Sequence, residues 1–143
     1  MIVGQNGWRT EELLPELAAV EASGTRRWLK YVPRADIFAI LQSAQGLVFP
    51  SLYEGFGLPV LEGFASRIPV ITSNTTSLPE VAGDAATLVD PESVEQIAWA
   101  MRQCAEDQAG REARIQKGLD QARRFTWQAT ASRTLAAYHA ALG

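Results

Sequence analysis

Short apolar runs alternate along this chain with stretches whose apolar side chains recur at helical spacing, and that alternation narrows the possible folds most. Leu47-Val48-Phe49, Pro69-Val70-Ile71-Thr72 and the run from Ala86 to Val89 have strand length, as does Trp28 to Val32, while Met1 to Gly4 is a briefer apolar stretch. Between them, Leu13, Leu14, Leu17 and Ala18 mark a helix from about Thr10 to Val20, with Pro15 confined to its first turn. Ile37, Ile40, Leu41 and Ala44 mark a second helix, and Leu58 to Ser66 a short third that opens on Pro59. Strands this apolar, each followed by a helix, predict an α/β fold with a Rossmann-like parallel sheet covered by helices on both faces. Ligands of such sheets bind outside the carboxyl ends of the strands. The loops after Gly4, Val32, Phe49, Ile71 and Val89 are therefore the places to look for function.

The C-terminal segment reads as all helix. Ser93 and Gln96 have capping-box spacing, and behind them Val94, Ile97, Ala98, Met101 and Ala105 are expected to form one buried face. A mostly polar helix follows from about Arg111 to Arg124. Thr126 then caps a last one, whose stripe of Trp127, Ala131, Leu135, Tyr138 and Leu142 reads first as core packing.

The 143 residues suit one domain, and with 47% apolar and 20% charged residues the chain can bury a core. A net charge of −3 gives no electrostatic basis for binding nucleic acid. No apolar run approaches the ~20 residues that span a membrane, and the start lacks the basic and apolar pattern of a signal peptide. The single Cys104 cannot form an intrachain disulfide, which fits a reducing, cytoplasmic setting. Its place in an apolar stripe makes it a small core residue, and His139, the only histidine, is expected at a surface or interface.

The chemistry concentrates after the strand Leu47 to Phe49, in Pro50-Ser51-Leu52-Tyr53-Glu54-Gly55-Phe56-Gly57-Leu58-Pro59-Val60-Leu61-Glu62. Two glycines flank a phenylalanine where a helix begins, and glycine allows positive φ and close backbone approach. Free N–H groups near residues 56 to 58 would face outward at the helix start, a site suited to phosphate. Glu54 lies in the loop and Glu62 about one turn inside the helix. A carboxylate can accept two hydroxyl donors at once, as a ribose or sugar diol offers them. The same pattern also suits a tight strand-to-helix connection with a favourable charge near its N-terminus.

The run Pro-Ser-x-x-Glu-Gly-Phe-Gly-Leu-Pro-x-x-x-Glu is similar to the signature of family 4 glycosyltransferases, which have the GT-B fold, and Glu54 and Glu62 match the family's paired glutamates. Pro69-Val70-Ile71-Thr72, Leu78-Pro79-Glu80-Val81, Gly83-Asp84-Ala85-Ala86, Leu88-Val89-Asp90-Pro91 and Arg124-Phe125-Thr126-Trp127 resemble its downstream landmarks. The resemblance covers nearly the whole chain. It implies a donor sugar linked to a nucleoside diphosphate, bound between two Rossmann-like domains and transferred with retention and without a bound metal or other cofactor. By the same resemblance Glu62 would take the ribose hydroxyls and Glu54 would be the catalytic carboxylate beside the transferred sugar. The amides of Phe56, Gly57 and Leu58 would hold sugar hydroxyls or a phosphate oxygen. Val32 would offer backbone bonds to the base, with Arg34 nearby. Front-face displacement guided by the diphosphate is the mechanism the fold implies.

The chain departs from the family pattern in three places. The strand and helix that usually precede this region, with their diphosphate-neutralising Arg and Lys, are missing, as is the acceptor-binding N-terminal domain. Residues 1–143 are therefore expected to be a partial C-terminal donor-binding domain, inactive alone, and the missing strand is expected in mid-sheet between Met1–Gly4 and Leu47–Phe49. Lys30 and Arg67 each stand where the family often has glycine. The exposed sheet or last helix is a possible surface for self-association, and a glycan or lipid-linked acceptor is expected through the missing domain. The full-length protein would be cytoplasmic, with a peripheral place at the membrane. The stretch from Ser77 to Ala86 is similar to that of bacterial enzymes of surface-polysaccharide synthesis, often mannosyltransferases using GDP-mannose. A GT-B sugar-nucleotide epimerase and a non-catalytic binding or assembly subunit are the alternative readings. The polar loop from Thr72 to Ser77 lies at the expected mouth, where it either touches donor or acceptor or is a solvated turn. Glu80 borders the next helix.

Overall fold

The computed structural model describes residues 1–5, 7, 11–22 and 24–143, in two compact units, Met1–Ala39 and Ile40–Gly143. In the first, strand β1 (Ile2–Val3) pairs in parallel with β2 (Trp28–Leu29), in the register Ile2 to Trp28 and Val3 to Leu29. A 3-10 turn (Glu11–Leu13) leads into helix α1 (Leu14–Ala22), with Pro15 in its first turn; Thr10 lies outside the described residues. The strand expected from Trp28 to Val32 stops at Leu29. Its partner runs only to Val3, and the chain turns away at Gly4, whose φ is 152° and whose carbonyl accepts from the Trp28 indole N–H at 2.9 Å. Residues beyond Leu29 therefore find no ladder, and Pro33 brings no N–H with which to extend one.

Helix α2 (Arg34–Ser43) leads to the larger unit, where β3 (Leu47–Phe49), β4 (Val70–Ser73) and β5 (Thr87–Val89) form a parallel sheet in that order. Its register sets Val48 beside Ile71 and Ile71 beside Thr87. Parallel neighbours need crossovers, which α3 (Leu58–Ala65) and α4 (Leu78–Ala82) supply. The pleat sends alternate residues to opposite faces. Leu47, Phe49 and Val70 pack with Val60 and Phe64 of α3 and with Leu78, Val81 and Ala82 of α4. Val48, Ile71 and Val89 pack with Ile97, Ala100 and Cys104 of α5 (Val94–Glu106). Every residue of β4 is buried, so the expected cover on both faces is present.

The helical segment differs from expectation in two respects. On α5 the inward residues are Ile97, Ala100 and Cys104, whereas Val94 and Met101 are exposed. Adjacent helical positions differ by only about 100°, so two overlapping stripes share Ile97. Small Ala100 and Cys104 fit against the sheet, which turns the bulkier residues outward. The polar helix α6 (Arg111–Ala122) buries Ile115, Gly118 and Gln121, and lies so close to α3 that a Cβ on Gly118 would meet the Phe64 ring at 2.6 Å. Gln121 is satisfied there: its Nε2 donates to the Val81 carbonyl at 3.0 Å and its Oε1 accepts from Arg124 at 3.0 Å.

Thr126 caps α7 (Trp127–Leu142), its hydroxyl accepting from the Ala129 N–H at 3.1 Å. The stripe read as core is not buried: Trp127 is 88% exposed, and Leu135, Tyr138 and Leu142 are exposed too. Phe125 is the last side chain to reach the core, because α6 already fills the groove along α3. His139 is exposed, as expected. Among the described residues no helix is long and apolar enough to cross a membrane.

Candidate functional site

The glycine-flanked segment lies at the carboxyl end of β3, the central link between sheet and α3. Gly57 is the N-cap residue of α3, with φ 106° and ψ 44°. A Cβ there would also meet Leu78 Cδ2 at 2.7 Å, so any other residue would have to shift that buried side chain as well as adopt the left-handed turn. Leu58 and Pro59 occupy the first turn of the helix. The first amides of a helix have no partner within it, and those of Phe56, Gly57 and Leu58 have no acceptor among the described residues. Pro59 has no N–H to offer. Three donors are thus left at the positive end of the α3 dipole.

Glu62 is half-buried on α3, about 6 Å along the axis from Leu58 at the helical rise. Glu54, also half-buried, is gripped at several points: its N–H donates to the Thr76 hydroxyl at 3.2 Å, its carbonyl accepts from the Ser77 hydroxyl at 2.9 Å, and its carboxylate accepts from the Ser51 hydroxyl at 3.0 Å. Leu52, Tyr53, Phe56 and Leu58 around it are exposed. The Phe56 ring leans on the Phe125 ring, and its carbonyl accepts from Ser77 at 3.0 Å.

The loop from Thr72 to Ser77 is more than a solvated turn. Thr72 donates to the Phe49 carbonyl at 2.9 Å, Ser73 to Ser51 at 2.6 Å and Thr75 to Leu52 at 3.4 Å. With Thr76 and Ser77 these hydroxyls stitch the loop after β4 to the loop after β3. Ser51, Thr76, Ser77 and Phe125 thus surround the expected site residues; the polar loop from Thr72 to Ser77 was expected at the mouth, but none of these four side chains had been given an individual role. Glu80, in the first turn of α4, is exposed.

Glu54, Phe56, Gly57, Leu58 and Glu62 all belong to the larger unit, and Val32 and Arg34 to the smaller one. Val32 is half-buried in coil rather than at a strand end, and Arg34 is the exposed first residue of α2. Lys30 lies 5.1 Å from the centroid of the Trp28 ring, so a long cation has a place where glycine is usual. Among the described residues no group of three or more His, Cys, Asp or Glu side chains is placed to hold a metal ion.

Residues 1–121 match the profile of the family described as glycosyl transferases group 1. The chain belongs to that family. It is 39% identical over 138 residues to the O-antigen chain mannosyltransferase B of Escherichia coli, a match that covers 96% of this chain and 36% of that protein. It is 35% identical over 140 residues to the MMP alpha-(1->4)-mannosyltransferase of Mycolicibacterium hassiacum, covering 93% of this chain and 33% of that protein. The chain therefore spans roughly a third of the length of these group 1 relatives. The crystal structure of an α,α-trehalose-phosphate synthase (UDP-forming) from Burkholderia vietnamiensis superposes with a TM-score of 0.79 at 21% identity, over 91% of this chain and 32% of that one. The parallel α/β arrangement is that of GT-B glycosyltransferases.

Proposed function

We propose that this chain is the donor-binding part of a retaining, family 4 glycosyltransferase that moves a hexosyl group, mannose from GDP-mannose in the first instance, onto a growing surface glycan or lipid-linked acceptor. The observation that carries this reading is the placement of three open amides, Phe56, Gly57 and Leu58, between two carboxylates, Glu54 and Glu62. Anionic phosphate oxygens or sugar hydroxyls suit the amides, and hydroxyls suit the carboxylates. Glu62, on α3, takes the ribose. Glu54, in the loop, faces the transferred sugar. The mannosyl preference draws on the two mannosyltransferase relatives, each matched over more than nine-tenths of this chain.

Cleaving the bond between sugar and diphosphate leaves negative charge on the leaving group and positive character on the sugar. Fixed N–H dipoles at the α3 terminus stabilise the first without reorganising, and the carboxylate of Glu54 stabilises the second. The acceptor attacks from the side the diphosphate leaves, so configuration is kept and no metal is called for.

The test is a panel of nucleoside-diphosphate hexoses offered to the natural-length protein carrying this chain, with the anomeric configuration of the product read by NMR. Mannosyl transfer from GDP-mannose with retention is expected. Transfer with inversion, or none from any hexose donor, contradicts the reading.

A further inference from the structure

Thr76 holds a backbone conformation that its side chain resists. Its φ is 56°, in the left-handed region, where a β-branched residue is an outlier. Such strain persists only where the surroundings over-determine it. What surrounds Thr76 is Glu54. In an extended chain, neighbouring side chains point to opposite sides. At the left-handed turn the hydroxyls of Thr76 and Ser77 instead reach the same stretch of backbone. Thr76 Oγ1 accepts from the Glu54 N–H at 3.2 Å, and Ser77 Oγ donates to the Glu54 carbonyl at 2.9 Å, shared with the Phe56 carbonyl at 3.0 Å. Ser51, whose own carbonyl accepts from Ser73 at 2.6 Å, holds the carboxylate. A glycine or asparagine would make the same turn without the cost. Threonine adds an acceptor aimed at the Glu54 amide.

We propose that Thr76 and Ser77 are positioning residues for Glu54: their paired hydroxyls, the first held by the left-handed backbone of Thr76, clamp its backbone and so fix where its carboxylate stands against the transferred sugar. This rests on the reading of Glu54 given above. A clamp of this kind acts on the reacting geometry rather than on nucleotide affinity, which is proposed to lie with α3 and Glu62. Misplacing a reacting group by a fraction of an ångström is felt in turnover.

The test uses Thr76→Gly and Thr76→Ser in the natural-length protein with GDP-mannose. Glycine adopts the left-handed turn freely, so Thr76→Gly folds, with thermal stability equal to or above the parent, and removes the hydroxyl together with the methyl, which Thr76→Ser separates by restoring the hydroxyl alone. Its kcat is expected to fall roughly tenfold to a hundredfold, while the Kd for GDP stays within about threefold of the parent. Thr76→Ser, which restores the acceptor, is expected to return kcat to within about threefold of the parent. Faster exchange of the Glu54 amide hydrogen in Thr76→Gly than in Thr76→Ser is the accompanying spectroscopic sign. Parental kcat in Thr76→Gly, or a parallel loss of kcat, GDP affinity and stability, overturns the proposal. A parent protein that neither binds nor uses any nucleoside-diphosphate sugar contradicts the functional reading, and the clamp's role with it, before any variant is compared.

Discussion

The ring of Phe56 meets the ring of Phe125 edge to face, with centroids 5.8 Å apart and planes at 85°. The first residue sits among the open amides at the start of α3, the second between α6 and α7. The contact ties the end of the helical segment to the loop that carries the site. Phe125→Ala removes the ring pair and a half-buried packing partner of the core. It is expected to lower the unfolding free energy by about 1–3 kcal/mol, less than for a fully buried phenylalanine. Urea denaturation measures this, and the amide resonances of Phe56 and Gly57 should move with it. Unchanged resonances would show that Phe125 does not hold the loop.

Arg67 follows α3 with φ 61°, its N–H donating to the Phe64 carbonyl at 3.0 Å while the Ile68 N–H reaches Gly63 at 3.4 Å. This is the left-handed close of a helix, where glycine is favoured. A left-handed side chain costs about 1–2 kcal/mol, and glycine gives back about 0.5–1 in unfolded-chain entropy. Arg67→Gly is therefore expected to stabilise the protein by about 0.5–1 kcal/mol. A lowered melting temperature would contradict this account of the turn.

Asp107 joins α5 to α6. Its carboxylate accepts from the Gly110 N–H at 2.8 Å and pairs with Arg114 at 2.5 Å, and these two contacts, the first the larger, hold its pKa below the ordinary 3.8. A folded pKa below the unfolded one means that the ion contributes stability above the unfolded value and loses it as pH falls through the folded one. Asn in its place keeps an acceptor for Gly110 but no charge for Arg114. The stability gap between the parent and Asp107→Asn should be present near pH 6 and close as pH falls below about 4. A gap independent of pH would locate the effect elsewhere. Asp84 is lowered in the same direction by its hydrogen bond to Lys117, but both side chains are solvent-exposed, so little stability rides on that pair.

Local patterns carried much of this structure. The runs at Leu47 and Val70 became strands with helices packed against both faces, and the run at Thr87 became an edge strand of the same sheet, with Leu88 exposed. Ser93 caps α5 as its spacing with Gln96 implied, accepting from the Gln96 N–H at 3.2 Å, yet the Gln96 side chain turns instead to the Asp90 N–H at 3.0 Å. What local pattern could not carry is set by partners distant in sequence. Which face of α5 goes inward depends on the small space against Ile71 and Val89. Gln121 is buried because two carbonyls of the α4 region await it. The hydroxyls from Thr72 to Ser77 find carbonyls more than 20 residues away, and no periodicity announces that. Of the candidate site, local pattern marked the glycine-bounded start of α3 at Gly57, whereas the expected roles of Glu54 and Glu62 came from the family resemblance and not from any periodicity. Their supporting residues were not legible, because a serine or threonine in a loop has many uses.

The central claim is that the start of α3 and Glu62 hold the nucleotide part of a sugar donor. Titrating isotope-labelled chain with GDP and following every amide by NMR tests it most directly, with Glu62→Ala as the control. The account predicts that Phe56, Gly57, Leu58 and Glu62 shift together, and that Glu62→Ala weakens GDP binding about tenfold or more, as loss of a charge-assisted bond implies. Shifts confined to other parts of the chain, or equal GDP affinity in parent and Glu62→Ala, would contradict it.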